Sequence, residues 1–348
     1  MSFHPERPCI DSPEYVGREY LLQHAYGRLG TEEDVQSFAI IGFHKEGKTS
    51  FVNYLQQPSV VERHLGGKAN DYIFLYFDLA VLQLNDESAF FEAFYSKIEQ
   101  VLALPNLKDL LDFNTVTDWL EKNNRRLILI FDDFNLIVTN PNYRVYFYEG
   151  YRSWLSTHSH VGCIVTSPLQ LLRLTISVEL AGSAFFNIFD SYTLFPLNFT
   201  EATRLIYERL PEALQEREKD IFELIGQFGY SPYPLQQAGK VWVSRFEKTK
   251  CPSLNNVIDE AYQAYISYYE NIYASLTNNQ RKGIASILRA DHKTKIDNNL
   301  IDRGWLTKDR SRIPARQMER FFRERMDILA KLNLFSPLKP FLSQVFNK

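Results

Sequence analysis

Phe38-Ala39-Ile40-Ile41-Gly42-Phe43-His44-Lys45-Glu46-Gly47-Lys48-Thr49-Ser50 decides how the whole chain is read. Its apolar first four residues suit a short buried strand, and the Phe51-Val52-Asn53-Tyr54-Leu55 that follows has helical spacing. Between them Gly42, Gly47, Lys48 and Thr49 fill the pattern G-x-x-x-x-G-K-[ST], in the strand–loop–helix context it requires. Glycines let the backbone fold tightly enough for several N–H groups to point at one phosphate. The helix start adds free N–H groups and partial positive charge. Lys48 is then expected on the β- and γ-phosphates and the Thr49 hydroxyl on Mg²⁺, with His44, Lys45, Glu46 and Ser50 completing the cradle. A glycine-rich turn that merely enters a helix is the alternative, and the flanking strand and helix argue against it. His44 reads as variable filler rather than a catalyst.

Outward from this loop, apolar runs alternate with helical patterns. Further strands are expected at Tyr72–Leu79, Leu127–Phe131, Val161–Val165 and Ser191–Leu197, with helices at 86–104, around Val116–Leu120 and around Tyr143–Leu155. Such alternation predicts an α/β fold, a doubly wound parallel sheet of five strands covered by helices on both faces. From Thr200 to about Tyr273 the pattern is all-helical. Beyond it, helices at Asn278–Arg289 and 298–303 precede Gly304-Trp305-Leu306-Thr307, which reads as a turn into a strand. Asp309-Arg310-Ser311-Arg312 follows as a wing tip, and Pro314 opens a last helix. Three domains are expected: 1–198, a helical 199–275 and a basic 276–348.

The strand at 127–131 ends in Asp132-Asp133. Mg²⁺ keeps most of its waters and accepts one or two carboxylates, so Asp132 is the expected metal partner. Thr166 and Ser167 end the next strand, where ligands of open α/β sheets bind; they read either as a γ-phosphate sensor or as a plain strand cap. The seven histidines and three cysteines lack ligand spacing, so a metal other than Mg²⁺ is not expected.

Composition sets the class. Of 348 residues, 45% are hydrophobic and 23% charged, as in an ordinary globular protein, and 14% are aromatic, which argues against disorder. No apolar run approaches the roughly 18 residues that span a bilayer. The first residues lack a signal-peptide layout, and Cys9, Cys163 and Cys251 look like unpaired thiols, so the expected compartment is the cytoplasm. The net charge of −3 hides an asymmetry: residues 276–348 hold 16 Lys and Arg against 7 Asp and Glu. A basic segment on an acidic body points to a polyanionic partner or to a solvated face.

Together these motifs resemble the P-loop ATPases of the AAA+/STAND group over residues 14–325. Gly42–Ser50 matches Walker A and Ile128–Asp133, four apolar residues before paired carboxylates, matches Walker B. Tyr15-Val16-Gly17-Arg18-Glu19 is similar to the "(F/Y)VGRE" segment that lies over adenine, which makes Tyr15, Val16, Gly17 and Arg18 candidates for base contact. Gly229–Pro234 resembles the G-x-P element of STAND lids, with Pro232 or Pro234 as its proline, and the basic segment resembles a winged helix. The resemblance implies ATP and Mg²⁺ as cofactors. It also implies a catalytic set of Lys48, Asp133 and Thr166, with Asp133 standing where AAA+ enzymes carry a water-orienting glutamate. An aspartate there implies slow hydrolysis. Two functions follow: a nucleotide-dependent homo-oligomeric switch that recruits or regulates partners, with effector and sensor on separate polypeptides, or a DNA-associated ATPase of origin- or transposition-regulator style. Arg310, Arg312, Arg316, Arg320 and Arg323 would line DNA in the second case and a docking surface in the first.

Overall fold

A computed structural model describes residues 2–9, 14–30, 34–82, 84–107, 112–174, 182–290, 296–309 and 311–334. The chain falls into two compact units, Arg7–Leu194 and a second made of Met1–Glu6 with Phe195–Lys348. The expected break at 198 lies four residues further along, and residues 199–275 and 276–348 both fall in the second unit.

The first unit is a five-stranded sheet in the order β2-β3-β4-β1-β5. Its strands are β1 (Phe38–Ile41), β2 (Tyr72–Asp78), β3 (Arg126–Asp132), β4 (Val161–Ser167) and β5 (Asp190–Thr193). Every pairing is parallel. β5 is shorter than the expected 191–197, stopping before Pro196, which has no N–H to donate to a ladder. The near-continuous apolar runs of β3 and β4 are buried along almost their whole length, as parallel strands covered on both faces must be.

One face of the sheet carries Phe38, Ile40, Ile128, Ile130 and Ile164 against Leu22, Phe51, Val52 and Leu55. Those partners belong to α1 (Glu19–Leu29) and α2 (Lys48–Leu55); α3 (Pro58–Leu65) adds Val60 and Val61. The other face carries Leu127, Leu129, Phe131, Cys163 and Val165. These pack under α4 (Glu87–Leu102), α5 (Phe113–Lys122) and α6 (Val145–Thr157). Much of the 14% aromatic content sits here. Phe113 stacks on Trp154 at 4.1 Å, and Phe90 touches Phe131 and Phe147 at 5.6 and 5.0 Å between ring centres.

The second unit is helical among the described residues. α7 (Phe199–Tyr207) starts with a reciprocal cap in which Asn198 and Glu201 satisfy each other's backbone N–H groups. α8 (Glu218–Phe228), α9 (Pro232–Thr249) and α10 (Leu254–Ser275) follow. Residues from the N-terminus belong to this unit: the Phe3 ring is buried, and Glu6 accepts hydrogen bonds from Tyr233 and Gln237 at 3.2 and 2.6 Å. α11 (Asn278–Leu288), α12 (Asn298–Asp302) and α13 (Arg316–Leu334) match the helices expected in the basic segment. The expected strand and wing do not form a ladder among the described residues. Instead Thr307 N donates to Arg312 O at 3.0 Å, and the Asp309 carboxylate accepts from Thr307 and Ser311. That backbone bond and the side-chain bonds to Asp309 together close the turn.

Phe90 is only 1% exposed at the centre of the aromatic cluster. Phe90→Ala should destabilise the protein by about 3–5 kcal/mol, read as a shift in denaturant midpoint with unchanged slope.

Candidate functional site at the carboxyl ends of the strands

β1 and β4 lie side by side although they are far apart in sequence. The chain leaves β1 for the sheet edge at β2, and leaves β4 to reach β5 on the other side of β1. Open α/β sheets bind ligands at the carboxyl ends of strands around such a reversal. The loop Gly42–Gly47 follows β1 there, and Gly42 N donates to Ser167 O at the end of β4 (3.0 Å).

Close internal contacts fix the loop. Gly47 has φ +94°, a conformation that L side chains rarely adopt, and a Cβ there would come within 3.0 Å of the Arg18 guanidinium. Lys45 also has positive φ, at 63°. Glu46 is 4% exposed and its Oε2 accepts the Phe43 N–H at 2.5 Å. Lys48, 8% exposed, opens α2 and donates to Phe43 O at 3.4 Å. Thr49 and Ser50 lie in the first turn of α2, and Ser50 Oγ accepts from Cys9 N at 3.0 Å.

Two strands away, Asp132 ends β3 with 2% exposure. Its Oδ1 accepts from Thr166 Oγ1 at 2.5 Å and its Oδ2 from the Tyr76 hydroxyl at 3.0 Å. Thr166 Oγ1 in turn accepts the Asp133 N–H at 2.9 Å, so this hydroxyl braces both aspartates. Asp133 has φ 58°. Burial first, then Asp132 and Asp78, push its carboxyl above the usual carboxylate range, against the pull of Lys48 and His44. The imidazole of His44 is pushed below its ordinary value by partial desolvation and by Lys48 and Lys45. Burial and Asp132 push the Tyr76 phenol up, so it remains a donor.

Sequence reasoning brought together Lys48, Thr49, Asp132, Asp133 and Thr166, and the fold places them along one edge. It did not find Tyr76 or Asp78. Both lie on β2, and the sole signal was parity, because Asp78 pairs with Asp132 in register and Tyr76 is two residues earlier on the same face. In the "VGRE" segment Tyr15 stacks on Tyr54 at 4.1 Å and Val16 is buried. Gly17 and Arg18 both have positive φ, and Arg18 Nη2 reaches Glu46 O at 2.6 Å. Arg18 thus touches the phosphate loop itself. Pro232 is the first residue of α9, just after the Gly229 turn, in the helical unit.

The arginine series is spread over different roles. Arg310 lies outside the described residues, and Arg312 is exposed. Arg316 pairs with Glu223 of α8 at 2.8 Å, and Arg320 pairs with Asp259 of α10 at 3.1 Å while lying over the Tyr262 ring. Arg323 pairs with Glu319 on its own helix.

A family model described as Novel STAND NTPase 2 matches residues 31–275. The chain belongs to that family. Its fold is similar to the Walker-type ATPase PABY2304 of Pyrococcus abyssi, with a TM-score of 0.59 at 13% identity over 93% of this chain and 100% of the other. It is also similar to the Aeropyrum pernix ORC2 protein in its ADP form, with a TM-score of 0.51 at 14% identity over 90% and 87% of the two chains. No curated protein matches the sequence. At these identities the solved structures speak for the fold, and the STAND NTPase assignment rests on the family match. No described helix is long and apolar enough to cross a membrane.

The electrostatics make a prediction about Asp133. A carboxyl whose folded pKa is raised costs stability as pH rises from the ordinary carboxylate value through the folded one, and that cost persists above it. Asparagine removes the charge and, like aspartate, accepts the positive φ. Asp133→Asn should therefore melt at or above the wild-type temperature at pH 7.5, with the gap closing below about pH 4. A variant that melts lower at pH 7.5 would contradict this.

Proposed function

We propose that this STAND NTPase binds ATP with Mg²⁺, hydrolyses it slowly, and uses the bound nucleotide to switch its assembly with copies of itself and with a partner protein. The observation that carries the reading is the convergence of the Lys48 loop with Asp132, Thr166 and Asp133 along neighbouring strand ends. Lys48 supplies the charge that phosphates need, and the N–H groups at the start of α2 supply donors. For the metal, a threonine hydroxyl (Thr49) and a buried carboxylate (Asp132) are the hard oxygen donors that suit Mg²⁺ with several retained waters. We choose ATP over GTP on the resemblance of Tyr15–Arg18, which lies beside the loop, to the segment that covers adenine in AAA+ and STAND ATPases. Asp133 would orient the attacking water. Its side chain is one methylene shorter than the glutamate of AAA+ enzymes, which limits its reach to that water, hence the slow turnover.

Support for assembly comes from an exposed apolar rim on the same edge. Val81 and Leu82 follow β2, Leu136 follows β3 and Leu169 follows β4, each at least 38% exposed. Large apolar side chains left exposed at one edge of a sheet suit a surface that a partner covers. The DNA-associated reading finds less support, because Arg316 and Arg320 are bound to carboxylates of the lid helices rather than free to follow a phosphate backbone.

Light scattering on the full chain with ATP·Mg²⁺, with ADP and without nucleotide tests the proposal, with Lys48→Ala as control and duplex DNA as a parallel arm. The expected result is a mass increase with ATP·Mg²⁺ in the wild type alone. A mass increase that requires DNA would favour the DNA-associated reading, and an unchanged mass in every arm would overturn the self-assembling switch.

A further inference from the structure

Asp132 is held by two hydroxyls, one from each strand that flanks β3. β2 and β3 pair in parallel with Tyr76 opposite Ile130 and Asp78 opposite Asp132. Period-two alternation then puts Tyr76, Asp78 and Asp132 on one face, the face covered by α1 and α2. A tyrosine two residues before the strand end is long enough to lay its ring along the strand and deliver its hydroxyl to the carboxylate at that end. Its O–H reaches Asp132 Oδ2 at 3.0 Å while Thr166, from the opposite flank, takes Oδ1.

Buried at 2% exposure, the Asp132 charge is tolerated because it is hydrogen-bonded. Each carboxylate oxygen has two acceptor sites, so one donor per oxygen leaves a free site on each. Donors on both flanks also fix the plane of the carboxylate, since rotation would break one bond or the other. Tyr76 is itself anchored: its backbone carbonyl accepts from Lys97 Nζ, and its ring packs in the cluster that includes Tyr72.

We propose that Tyr76 is a positioning residue for the magnesium–nucleotide complex, acting through Asp132 by holding that carboxylate in one orientation. The inference rests on the reading of Asp132 as the residue on the metal side. Mg²⁺ is bound largely through its waters, so the position of an outer acceptor governs how well the metal couples to the nucleotide. Groups that orient such partners typically change metal affinity by about 10–100-fold when removed. A packing role alone would need only the ring, which phenylalanine supplies.

The test measures ATP affinity of the full chain in EDTA and along a Mg²⁺ series, for the wild type, Tyr76→Phe, Thr166→Val and Asp132→Asn. In EDTA, Tyr76→Phe should bind ATP as the wild type does, within about twofold, while the Mg²⁺ midpoint rises by about tenfold or more. Thr166→Val should shift it in the same direction, and Asp132→Asn should lose the Mg²⁺ enhancement. A wild-type midpoint in Tyr76→Phe, with the enhancement lost in Asp132→Asn, would overturn the role of Tyr76 alone. Equal weakening of Tyr76→Phe with and without Mg²⁺ would mark general distortion and would also overturn it. If Asp132→Asn retains the full enhancement, the metal-side reading of Asp132 fails and takes this inference with it.

Discussion

A carboxylate charge buried at the end of β3 constrains everything around it. Asp132 cannot be left in the interior without donors, and each of its oxygens accepts from a hydroxyl on a flanking strand. This requirement ties together β2, β3 and β4. β4 in turn pairs with β1, whose end carries the phosphate loop. A one-residue slip in any of these pairings would turn Tyr76, Asp132 or Thr166 to the other face of the sheet. The register that buries Ile128, Ile130 and Ile164 under α2 therefore also builds the site.

The site is charged on both sides of its centre. Lys48 stands on the loop, while Asp132, Asp133 and Asp78 stand on the facing strand ends, and the lysine lowers what burial and the acidic neighbours raise in Asp133. Such a balance stores a cost in the free protein that bound phosphate and metal would redistribute. Arg18 extends the network, since its guanidinium grips the Glu46 carbonyl beside Gly47 and so links the segment proposed for the base to the loop proposed for the phosphates.

Local patterns were the legible part. The loop, its flanking strand and helix, and the apolar run ending in paired aspartates each lie within a short window, and their chemistry follows from residue types and spacing. Tyr76 was hidden because an aromatic inside Tyr72–Asp78 reads as core, and its role appears when β2 is set beside β3. Residues 304–307 looked like a turn into a strand and 309–312 like a wing tip because two helices precede them, the layout of a winged helix. A backbone bond from Thr307 to Arg312 and the Asp309 side chain close a turn there instead, with the Asp309 carboxyl held down to about 2 by Thr307 and Ser311. The membership of Phe3 and Glu6 in the helical unit left no local trace, since their partners Gly239, Tyr233 and Gln237 are more than 200 residues away. The arginines of α13 were visible as a basic series, but the carboxylates of α8 and α10 that pair with Arg316 and Arg320 were not.

Calorimetric titration of ATP·Mg²⁺ into the wild type and Lys48→Ala tests the central claim most directly, that one nucleotide binds per chain on the Lys48 loop. The account predicts one site per wild-type chain and an affinity at least about tenfold weaker in the variant, as loss of a charge-assisted contact implies. Equal binding by the two proteins, or no heat from either, would contradict it.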